Sequence, residues 1–380
     1  MLGKSQTVFL MGNEAVAKAA IAAGAKIMFG YPITPTSEIL EKWIEFSPQN
    51  HTLYLQTEDE MAAGFGVIGA CLAGTKSFTA TAGPGNVLMQ DAFSMAEALR
   101  IPSVGIIMQR GGLSTSTVIY SQEEVTLTCF GGNGEGLRVV YSTSGLQDLY
   151  DYTLKAFATA WKYRFPTFVL GDGYQGKMKG EVEIYKPQNL IDSQPILLAD
   201  KKYAAGDKKS LAYYYPYINQ LTHRPLTNIS LGDSVNLRNC LNLEEDIFEI
   251  IESYKRDFQK VTPEIVEYEE METKNAETII FAHGIVAAAA RVAVERLREN
   301  GVKVGLFRPI TLRPFPTQQI RRVIKNTKRL IVTESALGQF GGMIKEALYG
   351  QTDIPIATYY RPALGITPEM LVDKVMEIEK

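Results

Sequence analysis

The sequence of 380 residues predicts an α/β protein: an open, mainly parallel sheet with helices on both faces, then a second α/β unit. Three observations carry that expectation. From Val8 to about Leu170, short apolar runs alternate with segments of helical character, as in a sheet whose strands are joined by crossover helices. The alternation lapses between about Gln188 and Asn275 and resumes from Thr278 to the end. The length and the 46% hydrophobic content suit a globular chain of two domains plus connections.

Taken in order, strands are expected at Val8–Met11, Ile27–Gly30, Leu53–Gln56, Ser77–Thr81, Val104–Met108, Val139–Ser142 and Thr167–Leu170. Helices are expected at Asn13–Ala23, Ser37–Phe46, Met61–Ala73, Val87–Leu99 and Leu146–Tyr163. Ligands of such sheets sit at the carboxyl ends of strands. Tyr31, Glu60, Gly83 and Arg110 all follow predicted strands closely, so they are expected to meet along one edge.

The irregular stretch holds Tyr213-Tyr214-Tyr215-Pro216-Tyr217 and one amphipathic helix with Ile247, Ile250, Ile251, Tyr254 and Phe258 on a stripe. So many aromatics point to a connection packed on its own chain or a neighbour. The second unit begins with strand Thr278–Ala282 and helix Ile285–Glu299, closed by Gly301. Strand Val304–Phe307, the Arg313-Pro314-Phe315-Pro316 turn, a helix, strand Leu330–Thr333 and a last helical stretch follow. The expected boundaries are 1–187, 188–274 and 275–380.

Composition narrows the function. With 39 basic and 42 acidic residues the net charge is −3, which argues against a general nucleic-acid binder. No apolar run reaches a bilayer span and no signal-peptide pattern opens the chain, so a cytoplasmic, membrane-free location is expected. Cys71, Cys129 and Cys240 are scattered, as are His51, His223 and His283, so no metal site of the chain's own is expected.

Gln56 to Gly85 is the most informative stretch. It places Glu60 at the mouth of a strand–turn–helix unit whose Ala/Gly-rich helix lets another backbone lie close. A lone carboxylate beside a close-packed interface suits thiamine diphosphate, whose aminopyrimidine ring needs such a group to promote loss of the thiazolium C2 proton. Thr57-x-x-Glu60 also fits a capping box, with Glu60 near water. Thr34 fits a helix N-cap followed by Pro35, or a hydroxyl facing a ligand carboxylate at a polarised helix terminus.

Gly64-Phe65-Gly66-Val67-Ile68-Gly69 matches G-x-G-x-x-G, but the glycines lie inside a helix behind an acidic turn. Close packing explains them better than a dinucleotide. Gly171-Asp172-Gly173 resembles the start of a magnesium–diphosphate motif, yet no suitable Asn follows, so the diphosphate is expected to be held elsewhere. Arg110, followed by Gly111-Gly112, suits a bidentate hold on a carboxylate. Gly338-Gln339-Phe340-Gly341-Gly342 reads as a strand-to-helix turn more readily than as a phosphate cradle.

Taken together, Tyr31-Pro32-Ile33-Thr34-Pro35, Glu60 with its Ala/Gly helix, Gly83-Pro84-Gly85, Gln109-Arg110-Gly111-Gly112 and Arg313-Pro314-Phe315-Pro316 resemble the alpha subunit of 2-oxoacid:ferredoxin oxidoreductases, particularly the 2-oxoglutarate type. The resemblance implies a pyrimidine-binding thiamine diphosphate domain and a transketolase C-terminal-like domain. It implies Glu60 as the activating residue, Thr34 and Arg110 as holders of the 2-oxoacid, and Pro32, Ile33 and Gly83 beside the cofactor. It also implies a beta subunit bearing magnesium, the diphosphate site and a [4Fe-4S] cluster, with ferredoxin and CoA as further partners. Where the family usually runs Pro-Ser-Thr-Gly, this chain has Leu113-Ser114-Thr115-Ser116, and Ile119 stands where Thr is common. That loop reads the substrate, so a branched-chain 2-oxoacid or pyruvate is the alternative, with a non-catalytic scaffold of the same fold as the rival from another class. A self-sufficient thiamine enzyme would need the diphosphate motif not found here.

Overall fold

The first strand expected in the main sheet instead forms a ribbon apart from it, with a strand the sequence did not announce, in the computed structural model, which describes residues 5–188, 190 and 244–379. Strand β1 (Gln6–Met11) pairs antiparallel with β8 (Lys179–Ile184). The physical reason lies in the side chains: only Leu10 of β1 is buried, whereas a central strand must be covered on both faces.

The main sheet follows the expectation. Strands β2 (Ile27–Gly30), β3 (Leu53–Gln56), β4 (Ser77–Thr81), β5 (Val104–Gln109), β6 (Val139–Ser142) and β7 (Thr167–Asp172) are parallel, in the order β6-β7-β5-β4-β2-β3. Every residue of β4, β5, β6 and β7 is buried, as central strands under two helical layers require. Strand β3 is the exception, exposed along its whole length at the sheet edge.

Helices α1 (Gly12–Ala22), α2 (Ser37–Asn50), α3 (Glu60–Leu72) and α7 (Leu146–Tyr163) stand close to their expected positions. The expected helix Val87–Leu99 is two helices, α4 (Pro84–Leu88) and α5 (Gln90–Ala98), meeting at Met89. Two short helices, α6 (Val125–Phe130) and α8 (Gly173–Lys177), complete this unit. Helix α3 packs closely: a Cβ at Gly64 would lie 2.6 Å from the Ala92 Cβ, and one at Gly66 2.3 Å from the Phe29 ring. Packing, and not a dinucleotide, explains these glycines.

Helix α9 (Glu244–Ile265) is the expected amphipathic helix. Tyr254 and Phe258 pack inward, with Phe258 edge-on to Phe165 at 5.1 Å, while Ile247 at its other end is exposed. The Tyr213–Tyr217 run lies outside the described residues.

The second sheet has the order β14-β13-β10-β11-β9. Strands β10 (Thr278–Phe281), β11 (Val304–Pro309), β13 (Arg329–Glu334) and β14 (Ile356–Tyr360) are parallel, and β9 (Tyr268–Met271) adds antiparallel to β11. Helices α10 (Gly284–Glu299) and α13 (Pro368–Glu379) pack over one apolar cluster. Helices α11 (Thr317–Val323) and α12 (Gln339–Leu348) join the core of the first unit through Ile320, Phe340 and Ile344. The units are further tied by β12 (Thr311–Arg313), which leaves the second unit to pair antiparallel with β6 as the outer strand of the main sheet.

Candidate active site

Four parallel strands, β5, β4, β2 and β3, end on one edge of the main sheet, and the segments leaving them carry the expected site residues. After β2 the chain turns through Tyr31 to Thr36. Helix α2 starts at Ser37, so Thr34 is not its N-cap. Thr34 and Pro32 are exposed and Ile33 is half-buried; the Ile33 carbonyl accepts from the Thr36 amide and hydroxyl, both at 2.8 Å. The Thr34 carbonyl accepts from the Arg110 guanidinium at 2.8 Å, which ties the turn after β2 to the end of β5.

Glu60 is the first residue of α3 and is buried, 5% exposed. The capping box does not form. Asp59 is the N-cap, accepting from the Ala62 amide at 2.7 Å, and the Thr57 hydroxyl donates to the Asp59 carbonyl. Glu60 is thus released from capping. Its carboxylate rests against Gly85, where a Cβ would stand 2.6 Å from Glu60 Oε1 and 2.2 Å from Thr81 Oγ1. The Thr81 hydroxyl is itself buried without a partner.

Gly83, at φ +53°, makes the turn after β4 that a side chain would block: its Cβ would lie 2.6 Å from Arg110 Nε. Arg110 is 4% exposed, and its Nε has no partner. Burial pushes its pKa below the usual value, while the charges of Glu124 and Glu60 oppose the shift. Gly83, Pro84, Val87, Leu88, Arg110 and Glu124 line a cleft of about 510 Å³.

The structure therefore brings Thr34, Glu60, Gly83 and Arg110 together, and it adds residues that sequence reasoning missed. Glu124 accepts from the Gly83 amide at 2.8 Å, the Arg110 amide at 3.0 Å and the Asn86 side chain at 2.9 Å. Burial raises its pKa above the usual carboxylate value, against the opposing pull of those bonds and of the Arg110 charge. Glu123 accepts from the Gly112 amide at 2.6 Å. The only sequence signal was the polar Ser121-Gln122-Glu123-Glu124 before an apolar run, and it carries no diagnostic spacing.

Asp172 is buried and caps α8, accepting from the Tyr174 and Gln175 amides at 2.9 and 3.0 Å. The Glu334 carboxylate occupies the N-terminus of α12, accepting from Phe340 and Gly341, so the glycine turn there is filled by the protein itself. Apolar side chains are exposed on the same elements: Leu53, Tyr54 and Leu55 on β3, Phe65 on α3, and Val87 and Leu88 on α4, with Leu53 66% and Val87 59% accessible.

Residues 18–270 match a family model described as pyruvate flavodoxin/ferredoxin oxidoreductase, thiamine diphosphate-binding, and residues 276–369 match pyruvate:ferredoxin oxidoreductase core domain II. The chain is 32% identical over 340 residues to 2-oxoglutarate synthase subunit KorA of Methanocaldococcus jannaschii, covering 87% of this chain and 89% of that protein. It is 33% identical over 343 residues to ketoisovalerate oxidoreductase subunit VorB of Methanothermobacter thermautotrophicus, covering 90% of each. Among solved structures it resembles a 2-oxoglutarate:ferredoxin oxidoreductase from Magnetococcus marinus, with 2-oxoglutarate, coenzyme A and succinyl-CoA bound. The TM-score is 0.78 at 26% identity, over 98% of this chain and 65% of that one, so this chain spans just under two thirds of its length.

Proposed function

Because the chain belongs to the pyruvate flavodoxin/ferredoxin oxidoreductase family, we propose that it is the alpha-type subunit of a CoA-dependent 2-oxoacid:ferredoxin oxidoreductase. The reaction is oxidative decarboxylation of a 2-oxoacid, with 2-oxoglutarate the first candidate, to the acyl-CoA and carbon dioxide, with electrons passed to ferredoxin. The observation that carries the reading is the buried Glu60 carboxylate, freed from capping and set against Gly85 beside Arg110.

These residues fit thiamine diphosphate. A buried carboxylate, a glycine cradle and the unpartnered Thr81 hydroxyl make a polar niche for the aminopyrimidine end of the cofactor. When bound, the cofactor would supply a carbon nucleophile and an electron sink for the 2-oxoacid. Glu60 holds the proton-exchange equilibrium of the pyrimidine in place, and its burial strengthens that interaction. Arg110 receives the substrate carboxylate, with the exposed Thr34 beside it. Magnesium, the diphosphate site and the [4Fe-4S] cluster belong to a beta subunit, which covers the apolar surface around β3, α3 and α4. The complex works in the cytoplasm. Residues 1–187 form the pyrimidine-binding domain and 275–380 the transketolase C-terminal-like domain. The connection 188–274 lends the latter its edge strand β9.

One observation favours a second substrate. The loop after Arg110 presents Leu113, 92% exposed, with Val118 and Ile119 also exposed, and VorB is as similar to this chain as KorA. A branched-chain 2-oxoacid is the alternative. The test is viologen reduction by the reconstituted complex with CoA and, in turn, 2-oxoglutarate, 2-oxoisovalerate and pyruvate. CoA-dependent reduction with 2-oxoglutarate is expected. Preference for 2-oxoisovalerate selects the second substrate, and no reduction with any 2-oxoacid refutes the reading.

A further inference from the structure

Glu124 lines the cleft and bonds to both of its halves. It is 5% exposed and stands just before α6. Its Oε1 accepts the amides of Gly83 and Arg110, which leave the neighbouring parallel strands β4 and β5, and Oε2 accepts the Asn86 side chain. Asn86 is fully buried, with Oδ1 accepting from Gln90 at 2.8 Å. Three donors thus converge on one side chain, and only an ionised carboxylate offers acceptors alone.

The segment holding Glu124 is bolted to the second unit. The Gln122 amide donates to the Ser335 carbonyl at 3.0 Å, and the Ser335 amide donates to Gln122 Oε1 at 2.9 Å. Gln122 Nε2 reaches the His283 carbonyl at 2.9 Å. Gln339 accepts from the Thr126 amide and donates to the Glu123 carbonyl. The second sheet therefore sets where Glu124 stands.

On the function proposed above, we infer that Glu124 is a positioning residue: it fixes the Gly83 turn and the backbone at Arg110 as one rigid unit, and so sets where the Arg110 side chain meets the substrate. Glu124→Gln keeps one oxygen for the two amides but sets an NH2 against the Asn86 NH2. Asn86→Asp then restores a donor–acceptor pair.

The experiment uses the reconstituted complex and compares E124A, E124Q and the E124Q/N86D double variant with wild type. In E124A, kcat/KM for the 2-oxoacid falls about 100-fold, the scale of a displacement near 1 Å at a positioning contact. The rise is mainly in KM for the 2-oxoacid, and KM for CoA stays within about twofold. E124Q is intermediate, and the double variant recovers part of the loss. Should E124A fail to assemble, the last two carry the test. Hydrogen exchange read by mass spectrometry gives an independent readout: the Gly83 and Arg110 amides lose protection in E124A and keep it in E124Q. Wild-type kinetics in E124A, or equal losses for both substrates, overturn the inference. A wild-type complex inert to every 2-oxoacid instead refutes the functional reading, and unchanged exchange in E124A then overturns the positioning claim on its own.

Discussion

Gly85→Ala should damage catalysis far more than folding. The backbone at Gly85 lies outside the positive-φ region, so the change acts through space alone. The new Cβ would stand 2.2 Å from Thr81 Oγ1, 2.6 Å from Glu60 Oε1 and 2.7 Å from Glu60 Cγ. Comfortable carbon contacts begin near 3.5 Å, so the Glu60 carboxylate must retreat by roughly 1 Å. Overpacking of this kind costs about 1–3 kcal/mol, and alanine returns up to about 1 kcal/mol through its helix preference. A shift of roughly 1 Å in a reacting group costs on the order of 100-fold in rate, about 2.7 kcal/mol of barrier. The assay is CoA-dependent viologen reduction by the reconstituted complex, with its melting temperature measured in parallel. Adding T81A should recover stability more than turnover, because the contact with Glu60 persists. A folded G85A complex with wild-type kcat would refute the placement of Glu60 against the cofactor.

Glu60→Gln should abolish turnover while leaving assembly intact, since the amide fills the same space but cannot take part in proton exchange; activity and co-purification read the two effects. Arg110→Ala should weaken 2-oxoacid binding by about 2–5 kcal/mol, seen as a rise in KM, because the substrate carboxylate loses its buried cation. Tyr54→Asp and Leu55→Lys should reduce co-purification with the beta subunit while the chain itself melts unchanged, since both sites are exposed on the sheet edge. Asp172→Asn should change the pH dependence of stability. Burial pushes the Asp172 pKa from 3.8 up to about 7. Between those values the unfolded chain loses its proton and the folded one keeps it, so wild-type stability falls as pH rises through that window. The upper bound is about 4 kcal/mol. The stability gain of D172N should therefore grow from pH 4 to pH 7 and level off above, and a pH-independent difference in melting temperature would contradict it.

How far the sequence reveals this protein depends on where each signal resides. The strands of the main sheet were legible because burial on both faces favours apolar runs, and β5 and β7 carry them, while β4 keeps only Phe78 and Ala80 among small hydroxyl side chains. β1 misled for the same reason: Val8–Met11 is apolar enough for a core strand, yet its partner is β8 and its surface is mostly exposed. β12 has only three residues and reaches its sheet from the far unit, a placement that local pattern does not encode. At the site, Glu60 was legible through its place after a strand and before a small-residue helix, but its rival reading as a cap was settled only by Asp59 taking that role. Glu124 was not legible, because its meaning lies in three donors 14 to 41 residues away in sequence that only the folded sheet edge collects.

The account stands on Glu60 acting upon a cofactor ring from inside the protein, and exchange of the thiamine diphosphate C2 proton for deuterium reads that action without any substrate. In the assembled complex, acid quenching followed by proton NMR should show exchange orders of magnitude faster with wild-type alpha chain than with the E60Q chain. Equal exchange rates in the two complexes, with cofactor bound in both, would contradict it.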